Sequence, residues 1–161
     1  SQPKKVVYET SKAEKGTVEK SSVATGNISP RDEILIKPQI SGIISEIEKG
    51  NSYICKDENN NIVGTFCLVF GEEPTYKKIY NGKWLNDYPY ATLHRIASQG
   101  KAGVIKACFD FSFTKCNNIK IDTHADNKTM NNAIKKYGFE YCGIIYILDG
   151  TPRLAYQKYI P

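Results

Sequence analysis

The stretch LHRIASQGKAGVIKAC, residues 93–108, holds the residues whose types and order most plainly suggest chemistry. It reads as a strand, a loop carrying Gly100 and Gly103, and then a helix. Unsatisfied backbone N–H groups at a helix N-terminus attract anions, and glycines let an oxyanion approach the main chain closely, so this order suits a pyrophosphate. The same letters also serve as a tight strand-to-helix turn without a ligand, and the loop by itself leaves both readings open. The five cysteines, Cys55, Cys67, Cys108, Cys116 and Cys142, are odd in number; none is spaced as Cys-x-x-Cys or lies near a histidine pair, so no metal site is expected. Most lie inside apolar runs, which points to buried reduced thiols and a reducing, cytoplasmic compartment.

The elements that must position this loop are legible around it. Residues 52–56 and 62–70 are apolar strands joined by the polar turn DENNN, a β-hairpin. A loop rich in Tyr and Lys follows over 71–89 and contains Trp84. Residues 90–97 form another strand, and apolar residues at Val104, Ile105, Ala107, Cys108, Phe111 and Phe113 predict a helix over 104–116. Residues 119–123 read as a strand and 128–136 as a helix ended by Gly138, while 139–148 and 154–159 flank an Asp149-Gly150 turn as a second hairpin. The order predicts an α/β fold with a mixed, mostly antiparallel sheet and flanking helices.

Composition changes near residue 50. Before it Tyr8 is the only aromatic; after it come the single Trp, all six Phe and ten of the eleven Tyr, so the second part assembles the main core. In the first part residues 6–10, 17–24 and 33–36 read as short strands, an atypical β-rich segment. With 40% hydrophobic and 24% charged residues and no apolar run of 18, the chain is neither disordered nor membrane-spanning as written. The net charge of +5 is dispersed, without the basic and aromatic clustering of a nucleic-acid surface, and a mild positive excess suits an anionic small molecule.

HRIASQGKAGVIKACFDF, then IKIDTHADNKTMNNAIKKYGFEYCGIIY, then DGTPRLAYQKY resemble the GNAT superfamily of N-acetyltransferases, in order, across about residues 47–161. The resemblance implies acetyl-CoA as cosubstrate and an amine, on a small molecule or a peptide, as acceptor. It implies that amides of Gln99, Gly100, Lys101, Ala102, Gly103 and Val104 hold the pyrophosphate, that the main chain of Ile96 and Ala97 holds the pantetheine and thioester, and that Asn127 contacts the cofactor arm. Two positions depart from the family's pattern: the later loop glycines read Ala102 and Val104 with Gly103 between them, and the place of the tyrosine that commonly protonates the departing thiolate is Ile134. The proton then comes from Tyr137, Tyr141 or water, or is not needed.

Acetyl transfer needs a neutral amine, an N–H donor for the developing oxyanion and a route for the amine's proton. His94, on the strand bordering the cofactor, is a candidate base, with a structural histidine beside Arg95 as the other reading; His124 is either a second candidate or a capping residue of its loop. Glu72, Glu73 and Asp122 either hold the substrate ammonium or relay its proton, or else are solvated carboxylates. Trp84 and Tyr88 line an acceptor pocket or form a lid over the core.

Residues 23–47, VATGNISPRDEILIKPQISGIISEI, resemble instead the opening of the periplasmic adaptor subunits of efflux systems, the membrane-fusion proteins. The chain is therefore expected to divide into a β-rich accessory segment over 1–46 and an acetyl-CoA-binding core over 47–161, with a fusion or a diverged N-terminus near residues 40–50. An acetyltransferase is the expected function; a non-catalytic adaptor module and a CoA-binding fold without turnover are the alternatives. The four isoleucines Ile40, Ile43, Ile44 and Ile47 share a helical spacing, and a helix is expected over 43–49, ended by Gly50.

Overall fold

The computed structural model describes residues 7–14 and 49–161 of the chain. Seven strands form one sheet: β1 (Glu9–Lys12), β2 (Ser52–Lys56), β3 (Ile62–Phe70), β4 (Ala91–Ser98), β5 (Asn118–Thr123), β6 (Glu140–Tyr146) and β7 (Pro152–Tyr159), in the order β1-β2-β3-β4-β5-β7-β6. Every neighbouring pair is antiparallel except β4 and β5. A parallel pair needs a crossover, and α1 (Val104–Lys115) supplies it; α2 (Lys128–Tyr137) then returns the chain from β5 to β6. The mixed, mostly antiparallel sheet with flanking helices is as expected, and from β2 onward its elements fall within two residues of the expected bounds.

Alternation along the strands makes two cores. On β7 Tyr156 belongs to the main core while its neighbour Ala155 belongs to a second cluster, so the two clusters lie on opposite faces. The main core gathers Phe66, Leu93, Ile119 and Ile121 from the sheet with Val104, Cys108 and Phe109 of α1 and Ile134 of α2. Residues 104, 108, 109 and 112 are the buried set of α1, a 3.6-residue repeat. Asn127 caps α2 by accepting from the Met130 N–H at 3.1 Å, and Gly138 ends it at φ 99.

The smaller core lies under the connection between β3 and β4. Tyr76, at the end of a 3₁₀ turn (Pro74–Tyr76), packs there with Ile145 and Ala155, and Trp84 and Tyr90 cover it. The Lys120 ammonium stands 4.2 Å from the Trp84 ring centre and 3.9 Å from that of Tyr90. Burial lowers the Lys120 pKa, and the two ring faces supply the attraction that keeps a cation on this face. Four of the five cysteines are buried and all five are free thiols.

From the front segment, β1 adds an edge strand to β2, with Thr10 opposite Cys55. It begins later than the strand expected over 6–10. Lys49 and Gly50 form a turn, Gly50 at φ 72. The adaptor-like stretch 23–47, and residues 43–48 of the expected helix, lie outside the described residues. No helix among the described residues is long and apolar enough to cross a membrane.

Candidate active site

Strands β4 and β5 pair only over Ala91–Ile119, Thr92–Lys120 and Leu93–Ile121. Beyond Leu93 they part, and β4 carries an irregularity: His94 faces Cys67 and Ala97 faces Thr65, so three steps on β4 match two on β3. The extra residue is a β-bulge centred on Arg95, which adopts φ 51. A cleft of about 830 Å³ opens at this divergence, with His94, Arg95, Ile96, Asp122, Asn127 and Glu73 among its lining.

His94 and Glu73 form its central pair, Nε2 to Oε2 at 3.4 Å. Glu73 precedes Pro74 at the start of the 3₁₀ turn; its Oε1 accepts from the Thr75 N–H at 3.2 Å and the Thr75 hydroxyl at 2.9 Å, and its own N–H donates to the Tyr90 hydroxyl oxygen at 2.9 Å. The His94 imidazole first, and the Thr75 donors after it, hold the Glu73 carboxyl down at about 2, against the opposing effect of burial. A carboxylate whose folded pKa is depressed contributes stability that is full above its unfolded value of 4.5 and is lost as pH falls through about 2. The Glu73→Gln variant is therefore expected to lose less stability than the parent between pH 5 and pH 2, by at most about 3 kcal/mol, in urea unfolding followed by circular dichroism.

Behind the cleft wall, the Tyr76 hydroxyl donates to Asp122 Oδ2 at 2.6 Å, and Arg153 Nη1 lies 3.9 Å from Asp122 Oδ1. Burial first, and the Asp122 charge next, raise the Tyr76 pKa well above its ordinary value, so this hydroxyl keeps its proton and donates a hydrogen bond to the Asp122 carboxyl.

A second cavity, about 420 Å³, lies at the other end of β4, between the loop 98–103 and the helices. Gly103 caps α1 at φ 85 with no side-chain bond to the first turn, so the turn's backbone donors have no side-chain acceptor at the cap. Lys101, Lys106 and Lys136 are among its lining. Lys101 also reaches Asp57 Oδ2 at 3.0 Å, which together with the Asn61 N–H holds the Asp57 carboxyl at about 2. Gly64 on β3 sets how closely α1 approaches: a Cβ there would stand 2.6 Å from Val104 Cγ1 and 3.1 Å from the Ala97 carbonyl oxygen. Val104 is fully buried and opens α1. Gly64→Ala should therefore cost about 1–3 kcal/mol in urea unfolding by overpacking.

The expected site residues separate into groups. His94, Ile96, Asn127, Glu72 and Asp122 line the larger cleft, with Glu73 rather than Glu72 touching His94; Glu72 lies toward solvent beside Lys77 at 3.9 Å. Gly100, Lys101, Ala102 and Gly103 line the smaller cavity. Ala97 pairs with Thr65 between the two, and the Gln99 N–H donates to the Val63 carbonyl oxygen at 3.1 Å. Asn127 spends its side-chain oxygen on the α2 cap. Tyr137 lines the smaller cavity and donates to Asp110 at 2.7 Å, and Tyr141 stands exposed on β6 against Tyr156; neither lines the larger cleft. His124 Nδ1 accepts from the Asp126 N–H at 3.2 Å, the bond of a loop-shaping residue. Trp84 donates from Nε1 to the Tyr76 carbonyl oxygen at 3.0 Å, and Tyr88 packs on Tyr159, so both cover the sheet face instead of lining either cavity. Arg153, which lines the cleft, and Tyr76, buried behind it against Asp122, were not among the expected residues; the Glu-Pro-Thr order that aims Glu73 is a helix-start signal that points to Glu73.

A mixed sheet split between two parallel strands, with an anion-suited helix start beside the split, is the framework of an acyl-CoA N-acyltransferase fold. A GNAT-family acetyltransferase from Streptococcus agalactiae is 32% identical, with 81% of this chain and 84% of that one covered and a TM-score of 0.70. This chain belongs to the GNAT acetyltransferase family. A GNAT-family acetyltransferase structure from Bacillus cereus, 16% identical, shares the fold over 96% of this chain and 99% of its own at a TM-score of 0.61. One from Listeria monocytogenes, 19% identical, does so over 82% and 77% at 0.55. No protein-family model and no curated protein matches the sequence.

Proposed function

We propose that this protein transfers an acetyl group from acetyl-CoA to a primary amine carried by a small molecule or a peptide. The observation that carries this reading is that one strand, β4, runs from the His94–Glu73 pair in the larger cleft to the lysine-lined cavity at the start of α1. An extended cofactor fits that course, with its pyrophosphate over the loop 100–103 that lines the smaller cavity and its thioester in the gap beside Ile96 and Ala97. Acetyl-CoA supplies the thioester carbonyl, and attack by the amine exchanges a C–S bond for a C–N bond.

His94 takes the proton that the amine sheds. Glu73, held near pH 2, is too weak a base for that task at neutral pH, and it serves to orient the imidazole through Nε2. The unpaired β5-facing edge of β4 provides backbone N–H groups for the oxyanion. With no tyrosine among the described lining of the larger cleft, the thiolate leaves as such and takes its proton from water.

Calorimetric titration with acetyl-CoA and with CoA is expected to give saturable binding, and a panel of amino acids, polyamines and peptide N-termini is expected to include acceptors that release free thiol. Absence of binding by both cofactors overturns the proposal. Binding without thiol release from any amine would support instead a CoA-binding fold without turnover.

A further inference from the structure

We infer that Tyr8, from the segment ahead of β1, is a positioning residue that aims the cofactor loop at the pyrophosphate. The Tyr8 hydroxyl donates to the carbonyl oxygen of Ala102 at 2.6 Å, across 94 residues of sequence. Its ring lies over the next residue: a Cβ at Gly103 would meet Tyr8 Cε2 at 3.4 Å. Tyr8 lines neither cavity and packs at the edge of the main core, so it reaches the loop from the side away from the cofactor.

In a trans peptide the carbonyl and the following N–H point in opposite directions. Tethering the Ala102 oxygen to Tyr8 therefore turns the Gly103 N–H away from Tyr8, toward the cavity that Ala102 and Gly103 line. The restraint matters because the loop is bracketed by Gly100 at φ 75 and Gly103 at φ 85, residues with low barriers to alternative backbone states. Rotation of the 102–103 peptide would set a carbonyl oxygen against the phosphates where an N–H is wanted. On the other flank, Lys101 is tied to Asp57, so the loop is held from two sides by groups that leave its inner face open.

This inference rests on the acetyl-CoA reading and is tested so that the two can fail separately. Tyr8→Phe keeps the ring over Gly103 and removes only the hydroxyl. The variant is expected to bind CoA five- to tenfold more weakly in calorimetric titration, while its affinity for pantetheine, which lacks the pyrophosphate, stays within twofold of the parent. In steady-state assays the KM for acetyl-CoA should rise by the same factor with kcat unchanged. Tyr8→Ala should weaken CoA further. Should it not fold, the Phe variant carries the result. Unchanged CoA binding by Tyr8→Phe, or equal weakening toward CoA and pantetheine, overturns the clamp and leaves the acetyltransferase reading standing. A parent protein that binds no CoA overturns both.

Discussion

Replacing His94 with Gln is expected to lower kcat by about 10²- to 10³-fold while the dissociation constant for CoA stays within twofold. The size follows from the role: a positioned general base contributes roughly 10²–10⁴ to a proton-transfer step, and an uncharged amide cannot take the amine's proton. Glu73→Gln should cost only about tenfold, because it removes the charge that fixes the imidazole and leaves the imidazole itself. The order of the two effects is diagnostic, since a carboxylate held at about 2 by His94 and Thr75 is fully ionised but has little affinity for a proton at neutral pH. If Glu73 were the base, its loss would be the larger one. The pH profile of kcat/KM separates the residues as well, since His94→Gln should alter it. A His94→Gln enzyme with the parent's pH profile would take His94 out of the proton route.

The elements were readable because local rules govern them. An apolar run marks β3, Gly138 ends α2, and the Asp-Gly turn joins β6 to β7. The bulge at Arg95 was not readable, because arginine carries no local preference for φ 51 and the extra residue is defined only by its pairing with β3. Trp84 and Tyr88 illustrate a different limit. Large aromatics in a loop suit a ligand pocket or a lid equally well, and it is the packing of Trp84 on Tyr76 and over the Lys120 ammonium of β5 that shows Trp84 covers the sheet. Glu72 and Glu73 are chemically alike, and the choice between them is made by Pro74, which starts the turn that points Glu73 at Thr75 and His94. The unusual loop spacing has a structural reason too. α1 begins at Val104, so the glycine that must adopt a left-handed backbone is the cap, Gly103.

Gln157→Leu is expected to be the most destabilising polar substitution, by about 3–5 kcal/mol in urea unfolding. Gln157 is fully buried and spends its whole amide on three partners: Oε1 accepts from the Leu85 N–H at 2.8 Å, and Nε2 donates to Asn118 Oδ1 at 2.8 Å and Asn86 Oδ1 at 3.1 Å. Leucine has a similar volume, so the loss is not one of packing. It strands a backbone donor without its partner and leaves two amide oxygens each one donor short, and an unpaired buried polar group costs about 1–3 kcal/mol. Against a typical total stability of about 5–15 kcal/mol that is a large fraction. The effect should also reach the active site. Leu85 and Asn86 belong to the same β3–β4 connection that carries Glu73, and Asn118 Nδ2 donates to the Pro89 carbonyl oxygen at 3.1 Å just before β4 begins. Releasing that end of the connection loosens the turn that aims Glu73 at His94. At a temperature where the variant is still folded, kcat should therefore fall toward the Glu73→Gln value with CoA affinity preserved. A Gln157→Leu protein of parental stability would show that the three bonds are exchanged for water without cost.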